Sequence, residues 1–183
     1  MARIAFLVDN HFEQIELTGT RQRLIAQGHD TVLISTEHTT VQGWNHLDKA
    51  DLFEVEQMLK DTHAQDFDAL VLAGGVINAD NLRINSDAQQ LVREFWHAEK
   101  PIAAICHAPW LLISSGIVRG HTLTAYHTLQ DDIQNAGARF LDLAVCVDHQ
   151  LITSRFPDDI AAFSAAIHAA LDGKLHLNHA LAI

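Results

Sequence analysis

Short, uninterrupted apolar runs recur along this chain, each followed by a longer segment whose apolar residues fall at helical spacing. Arg3 to Val8, Thr31 to Ser35, Phe67 to Ala73 and Pro101 to Ile105 are apolar almost throughout rather than alternating. Strands of that kind need cover on both faces, which favours a parallel sheet between two helical layers. The spacing predicts helices over Glu13 to Gln27, with Ile15, Leu24 and Ile25 on the apolar face, and over Ser86 to Glu99, His107 to Ser115, Leu129 to Ala136 and Phe156 to Leu171. Gly28, Gly116 and Gly137 stop three of them, and Pro157 suits the first turn of the last. Thr122 to Tyr126 reads as a further strand, and Phe140 to Val147 with Leu151 to Ser154 as a strand pair joined by Asp148-His149-Gln150. Between Thr39 and Gln65 the pattern mixes a hairpin with a short helix around Glu54 to Lys60. The expected fold is α/β: a three-layer α/β/α sandwich on a mostly parallel central sheet.

At 183 residues the chain has the size of one domain with its own core. No repeat or Ser/Pro linker divides it, so residues 1–171 are expected to form a single unit, with 172–183 a loosely docked extension. The 23 acidic against 12 basic residues leave a formal charge of −11, which repels nucleic acid and anionic lipid, so neither is an expected partner. The apolar stretch at the amino terminus is too short for a signal core or a spanning helix, and the expected location is cytoplasmic. Cys106 and Cys146 are the only cysteines, with no CxxC or Cys/His ligand spacing, so neither a disulfide framework nor a metal or cofactor site is expected.

Open α/β sheets bind ligands beyond the carboxyl ends of their strands. Three such segments carry chemistry: Asp9-Asn10-His11-Phe12-Glu13, Gly74-Gly75 and Cys106-His107. Cys106 sits where an apolar strand stops and a helix starts, the context of a nucleophile elbow, with the helix start expected to lower the thiol pKa. A lone cysteine in an apolar run is also commonly a buried core residue, as Cys146 is expected to be. Gly75 and His107 offer backbone N–H groups for an oxyanion. Glu13, opening the first helix, is expected to reach the thiol as a proton-sharing carboxyl; the commoner job of such a residue is to complement the helix terminus.

The segments AAICHAPWLLISSGIVRG, FEQIEL, DALVLAGG, DDIQNAGA and TSRFPDDIAAF together resemble the PfpI-type intracellular cysteine peptidases of the DJ-one/PfpI superfamily, over roughly Arg3 to Leu171. The resemblance implies a flavodoxin-like, class I glutamine amidotransferase-like fold. It implies Cys106 as nucleophile, His107 as its elbow neighbour, Glu13 as the carboxylate on the cysteine and Gly75 as the oxyanion-hole glycine. It also implies dimeric or hexameric assembly, with Asp80 near the position of a carboxylate that reaches a neighbouring subunit's His. Ala108 stands where the usual motif CHGP has Gly, Ala73 where LPGG has Pro, and Asp80 is one methylene shorter than the usual Glu.

Four functional readings follow: cofactor-independent glyoxalase or deglycase chemistry on small reactive carbonyls, hydrolysis of peptides or amides, a redox-sensing or stress-responsive binding role without turnover, and a degenerate member without activity. The elbow serves the first two equally well.

Overall fold

The structure, a computed structural model, describes residues 1–174 and 181–182. In chain order the elements begin with β1 (Arg3–Leu7), β2 (Phe12–Glu13), α1 (Gln14–Ala26), β3 (Asp30–Ser35), β4 (Thr40–Asn45), β5 (Asp48–Glu54), β6 (Gln57–Met58) and β7 (Ala69–Leu72). There follow α2 (Val76–Ile84), α3 (Ser86–His97), β8 (Ile102–Ile105), α4 (Pro109–Ser114), β9 (Thr122–Leu123), α5 (Gln130–Asn135) and β10 (Arg139–Phe140). The chain closes with β11 (Val145–Asp148), β12 (Leu151–Ser154), α6 (Ile160–Leu171) and β13 (Leu181–Ala182).

Eight strands form the central sheet in the order β13-β11-β12-β8-β7-β1-β3-β6, parallel except at the β11–β12 and β11–β13 pairs. The strand period of two sends alternate side chains into two cores. Ile4, Phe6 and Val8 join α1 and α6 through Leu17, Leu24, Phe163 and Ile167. Ala5 and Leu7 join α3 and α4 through Leu91, Phe95, Leu111 and Leu112. Both faces are covered, which is why these strands are apolar almost throughout, and each fully buried Leu, Ile or Phe contributes about 1.5–3 kcal/mol. The three-layer sandwich is as the apolar runs imply.

Local expectations fail where polar detail decides. The α1 stripe is rotated from the expected one: Glu16, Leu17, Thr20 and Leu24 are buried, whereas Ile15 and Ile25 are 46% and 53% exposed. The hairpin between Thr39 and Gln65 exists as β4–β5, but Gln57–Met58 is an edge strand on β3 and the helical residues are two 3-10 turns, at Leu59–Asp61 and Ala64–Asp66. Phe140 to Val147 is two strands rather than one, because Asp142 turns out to pair with Arg155 while Arg139–Phe140 joins β9 in a separate ribbon. The expected extension from 172 onward lies largely outside the described residues; Leu181–Ala182 pairs with Cys146 and Val147.

Candidate active site

The strand order β8-β7-β1 brings the three carboxyl-end loops together at one edge of the sheet. Cys106, the first residue past β8, has φ +64°, a left-handed conformation that costs a β-carbon-bearing residue about 1 kcal/mol or more. Its backbone is held on both sides: its N–H donates to the Ser154 carbonyl at 3.1 Å, and its carbonyl accepts from the Tyr126 N–H at 2.9 Å. The strained turn lifts Sγ out of the sheet line toward the cleft, where the N–H groups of Gly75 and His107 donate to it. Helix α4 begins only at Pro109 and runs six residues, so the expected lowering of the thiol pKa by a helix start is not what dominates. Burial and the Glu16 carboxyl push the thiol up, against the pull of the two N–H donors.

The carboxyl beside the thiol is Glu16, not Glu13. Glu16 is completely buried, and its Oε2 accepts from the Gly74 N–H at 2.7 Å. Burial, reinforced by the charge of Glu13 and opposed by the Gly74 N–H and Cys106, raises its pKa to about 8. Glu16 is therefore protonated at neutral pH. Its Oε1 has no hydrogen-bond partner among the described residues, which leaves that oxygen to carry the proton beside the sulfur. A β-carbon on Gly74 would stand 2.6 Å from Glu16 Oε2 and 2.7 Å from Cys106 Cβ, so glycine is what lets thiol and carboxyl meet. Glu13 belongs to β2 and precedes the first turn of α1, and its Oε2 accepts from the His46 N–H at 3.1 Å across the cleft wall. The rotated apolar stripe accounts for the exchange: with Ile15 inward, Glu16 points away from the sheet, while the stripe Leu17, Thr20 and Leu24 puts it at the sheet edge.

His107 lies beside the sulfur, with Nδ1 at 3.3 Å from Sγ. Its ring is stacked on Tyr126 at 4.8 Å and set edge-on to Trp110 at 5.3 Å. Burial, with a smaller repulsion from His127, lowers its pKa to about 4, so the imidazole is neutral at neutral pH. Gly75 has φ +91°, and a β-carbon there would meet the Glu13 N and the His11 O at 2.7 Å each; it is a close-approach position as well as a turn.

These groups open into a cleft of about 810 Å³ walled by His11, Trp44 and His46 on one side and Tyr126, Thr128 and Phe156 on the other. The β2–β4–β5 sheet, of which the sequence indicated only the hairpin, supplies the first wall. Asp80 is not among the lining residues. Helix α2 begins at Val76, so Asp80 lies exposed in its middle and neither caps a helix nor touches His107 of its own chain. Cys146 is buried in β11, with Sγ donating to the Thr122 carbonyl at 3.5 Å, and burial followed by Asp148 pushes it up to about 11.

A parallel α/β sheet that presents a cysteine on a left-handed elbow, between two backbone donors and a buried protonated glutamate, defines a cysteine-centred α/β domain. Profile comparison is specific about which: the chain belongs to the DJ-1/PfpI family, whose profile matches residues 2–170. It is 35% identical over 161 residues to Deglycase PH1704 of Pyrococcus horikoshii, covering 88% of this chain and 94% of that one. It is 35% identical over 162 residues, with the same coverage, to YraA of Bacillus subtilis, whose name assigns it provisionally to the cysteine proteases. A two-domain protein from Anabaena variabilis containing DJ-1/ThiJ/PfpI-like and ferritin-like domains superposes with a TM-score of 0.87 at 31% identity, over 94% of this chain and 48% of the larger one.

Proposed function

We propose that this protein is a cysteine-dependent enzyme of the glyoxalase/deglycase type, acting on small reactive carbonyls, free or as adducts, without a metal or organic cofactor. The observation that carries the reading is Glu16, buried and protonated against the Cys106 thiol. Cys106 Sγ adds to the aldehyde carbon of a 2-oxoaldehyde, and the thiol proton passes to the new oxygen, giving a hemithioacetal. The Gly75 and His107 N–H groups, which bond the resting sulfur, receive the developing oxyanion. Glu16 gives its proton to the C2 carbonyl oxygen and, as the carboxylate so formed, takes the one on C1; it returns that proton to C2 and recovers one from the C1 hydroxyl, so that the adduct becomes a thioester of the 2-hydroxy acid, and one water releases the acid and restores the thiol. Oxidation at C1 balances reduction at C2, so no external redox partner enters.

Amide hydrolysis is the second reading, favoured by the 3.3 Å contact between Sγ and His107 Nδ1. That route needs an imidazolium, which burial between Tyr126 and Trp110 disfavours. A redox-sensing role would use the same sulfur without turnover. Self-association fits the exposed Ile15, Leu47, Val76 and Ile77 around the cleft mouth, and the exposure of Asp80 on α2 supports a contact with a neighbouring copy. A cytoplasmic location fits as well: among the described residues no helix is long and apolar enough to cross a membrane.

The test is turnover of methylglyoxal and of a methylglyoxal-treated N-acetyl-arginine, against a fluorogenic peptide panel, with Cys106→Ser as control. Hydroxy-acid release that Cys106→Ser abolishes is the expected result. Peptide cleavage with no carbonyl turnover would replace this reading by the second.

A further inference from the structure

At the edge of the sheet remote from Cys106, two histidines and a carboxylate face one point. Asp148 ends β11, His149 begins the two-residue turn to β12, and His121 directly precedes β9. His121 Nδ1 lies 3.6 Å and His149 Nε2 3.7 Å from the same oxygen, Asp148 Oδ1, and one ligand atom from each of the three residues falls within 4.8 Å of the others. Since β12 runs parallel to β8, the turn sits beside Ile102, about 13 Å of strand below Cys106.

The arrangement is built rather than incidental. Asp148 is 7% exposed, and its other oxygen, Oδ2, accepts from the Thr122 N–H at 2.6 Å, which fixes the carboxylate plane. Among the described residues Oδ1 accepts no hydrogen bond, because both imidazole nitrogens stand beyond hydrogen-bond length. His149 takes φ +52°, a left-handed backbone that turns its ring back over Asp148. His121 is backed edge-on by Trp96 at 5.1 Å, and the two histidine rings meet at 89° with centroids 5.3 Å apart. An unbonded carboxylate oxygen of a largely buried aspartate, aimed between two imidazole nitrogens, is a cation-binding arrangement.

We propose that His121, Asp148 and His149 form a binding site for a divalent first-row transition ion of the zinc class, separate from the catalytic cleft. Metal–nitrogen bonds of about 2.0–2.1 Å in a tetrahedral site set ligand atoms about 3.3 Å apart. The two Asp–His spacings need to contract by only a few tenths of an ångström, and the half-exposed His149 side chain supplies the larger adjustment between the histidines. Two imidazoles with one carboxylate suit zinc, cobalt, nickel or copper rather than magnesium or calcium. Three protein ligands leave a coordination position for water. Such an ion ties the β11–β12 turn to the segment leading into β9, which among the described residues otherwise meet through the Thr122–Asp148 hydrogen bond and the contact of the two histidine rings. The sequence shows no ligand spacing because Asp148 and His149 lie 27 and 28 residues beyond His121; the adjacency of β9 and β11 brings them together.

The test is calorimetric titration of ZnCl2 into the full chain carrying Cys106→Ser, so that the cleft thiol contributes no ligand, with the Co2+ absorption spectrum as a second readout. His121→Ala and His149→Asn are compared with His63→Ala, which removes a surface histidine paired with Glu94. Asn tolerates the left-handed backbone at 149, so that variant keeps its turn. One equivalent is expected to bind, with affinity at least tenfold lower in both His121→Ala and His149→Asn and unchanged in His63→Ala. Zinc at 100 times its Kd should raise Tm by about 5 °C or more, and neither ligand variant should show the rise. Binding unaltered by either ligand substitution, or no binding at 100 µM zinc, would overturn the proposal.

Discussion

Replacing Glu16 with glutamine tests the protonated carboxyl at the centre of the site through stability alone, before any substrate is chosen. Unfolded, the group titrates near 4.5; folded, burial moves it to about 8. Between those values the folded chain holds one proton more than the unfolded chain, so stability falls as pH rises through the window. The slope from this one group is about 1.4 kcal/mol per pH unit, and the whole window is worth about 5 kcal/mol. In Glu16→Gln the introduced amide keeps a carbonyl for the Gly74 N–H and carries no titrating proton, so the variant lacks that slope. His107, lowered to about 4, works in the opposite direction, costing stability as pH falls below the ordinary histidine range, but it is common to both proteins and cancels in the difference. Cys106 titrates above the window in both states. The assay is urea denaturation of parent and Glu16→Gln at half-unit steps from pH 5 to pH 8. The stability difference should move in favour of the variant by about 1.4 kcal/mol per pH unit, equivalent to roughly 3–6 °C in Tm per unit for a chain of this size. A difference that stays constant across the range would show that Glu16 is ionised in the folded protein, and the proton-sharing account of the thiol would fall with it.

Glu16→Gln should also reduce kcat on carbonyl substrates by about 10²–10⁴, the usual range for a lost general acid–base, with KM changed far less. Glu13→Gln should leave kcat within a few-fold of the parent and shift the alkaline limb of the pH–rate profile downward, because it removes the neighbouring charge that raises Glu16; a kcat loss matching that of Glu16→Gln would reassign the shuttle. Gly74→Ala drives a β-carbon onto Glu16, Cys106 and the Ile105 carbonyl, so denaturation should show a loss of about 1–3 kcal/mol with turnover abolished, whereas unchanged turnover would mean that the thiol and carboxyl need not meet. Iodoacetamide followed by mass mapping should label Cys106 in the folded chain and Cys146 only after unfolding, and the reverse order would place the reactive thiol at the wrong end of the sheet.

The layered fold and the elbow cysteine were legible because both follow from short-range rules. Apolar runs such as FDALVLA and PIAAI have no polar face to leave in water, and a cysteine at the end of such a run has few places to go but a turn above the sheet. What escaped was whatever depended on rotation or on assembly. Glu13, read as the first residue of α1, lies in β2, and the helix that follows turns Leu17, Thr20 and Leu24 inward rather than Ile15 and Ile25, which brings Glu16 to the site in its place. Ile15 and Ile25 drew the helix stripe toward themselves because an exposed isoleucine and a buried one look the same in sequence, while the buried glutamate looked like a surface residue. The docking of the β4–β5 hairpin on β2 and the His121–Asp148–His149 cluster escaped for a related reason: each is assembled by strands that are neighbours in space and not in the chain.

The burial that hid Glu16 from the sequence is also what gives it a chemical role. A carboxyl on the solvent face of α1 would be ionised at neutral pH and would repel the thiolate it accompanies. On the inner face, with water excluded and one oxygen occupied by the Gly74 N–H, it keeps its proton at neutral pH and sets no charge beside the sulfur. The folding cost of an inward-facing glutamate and the proton it holds for catalysis therefore have one physical origin, and a variant that relieves the first should lose the second.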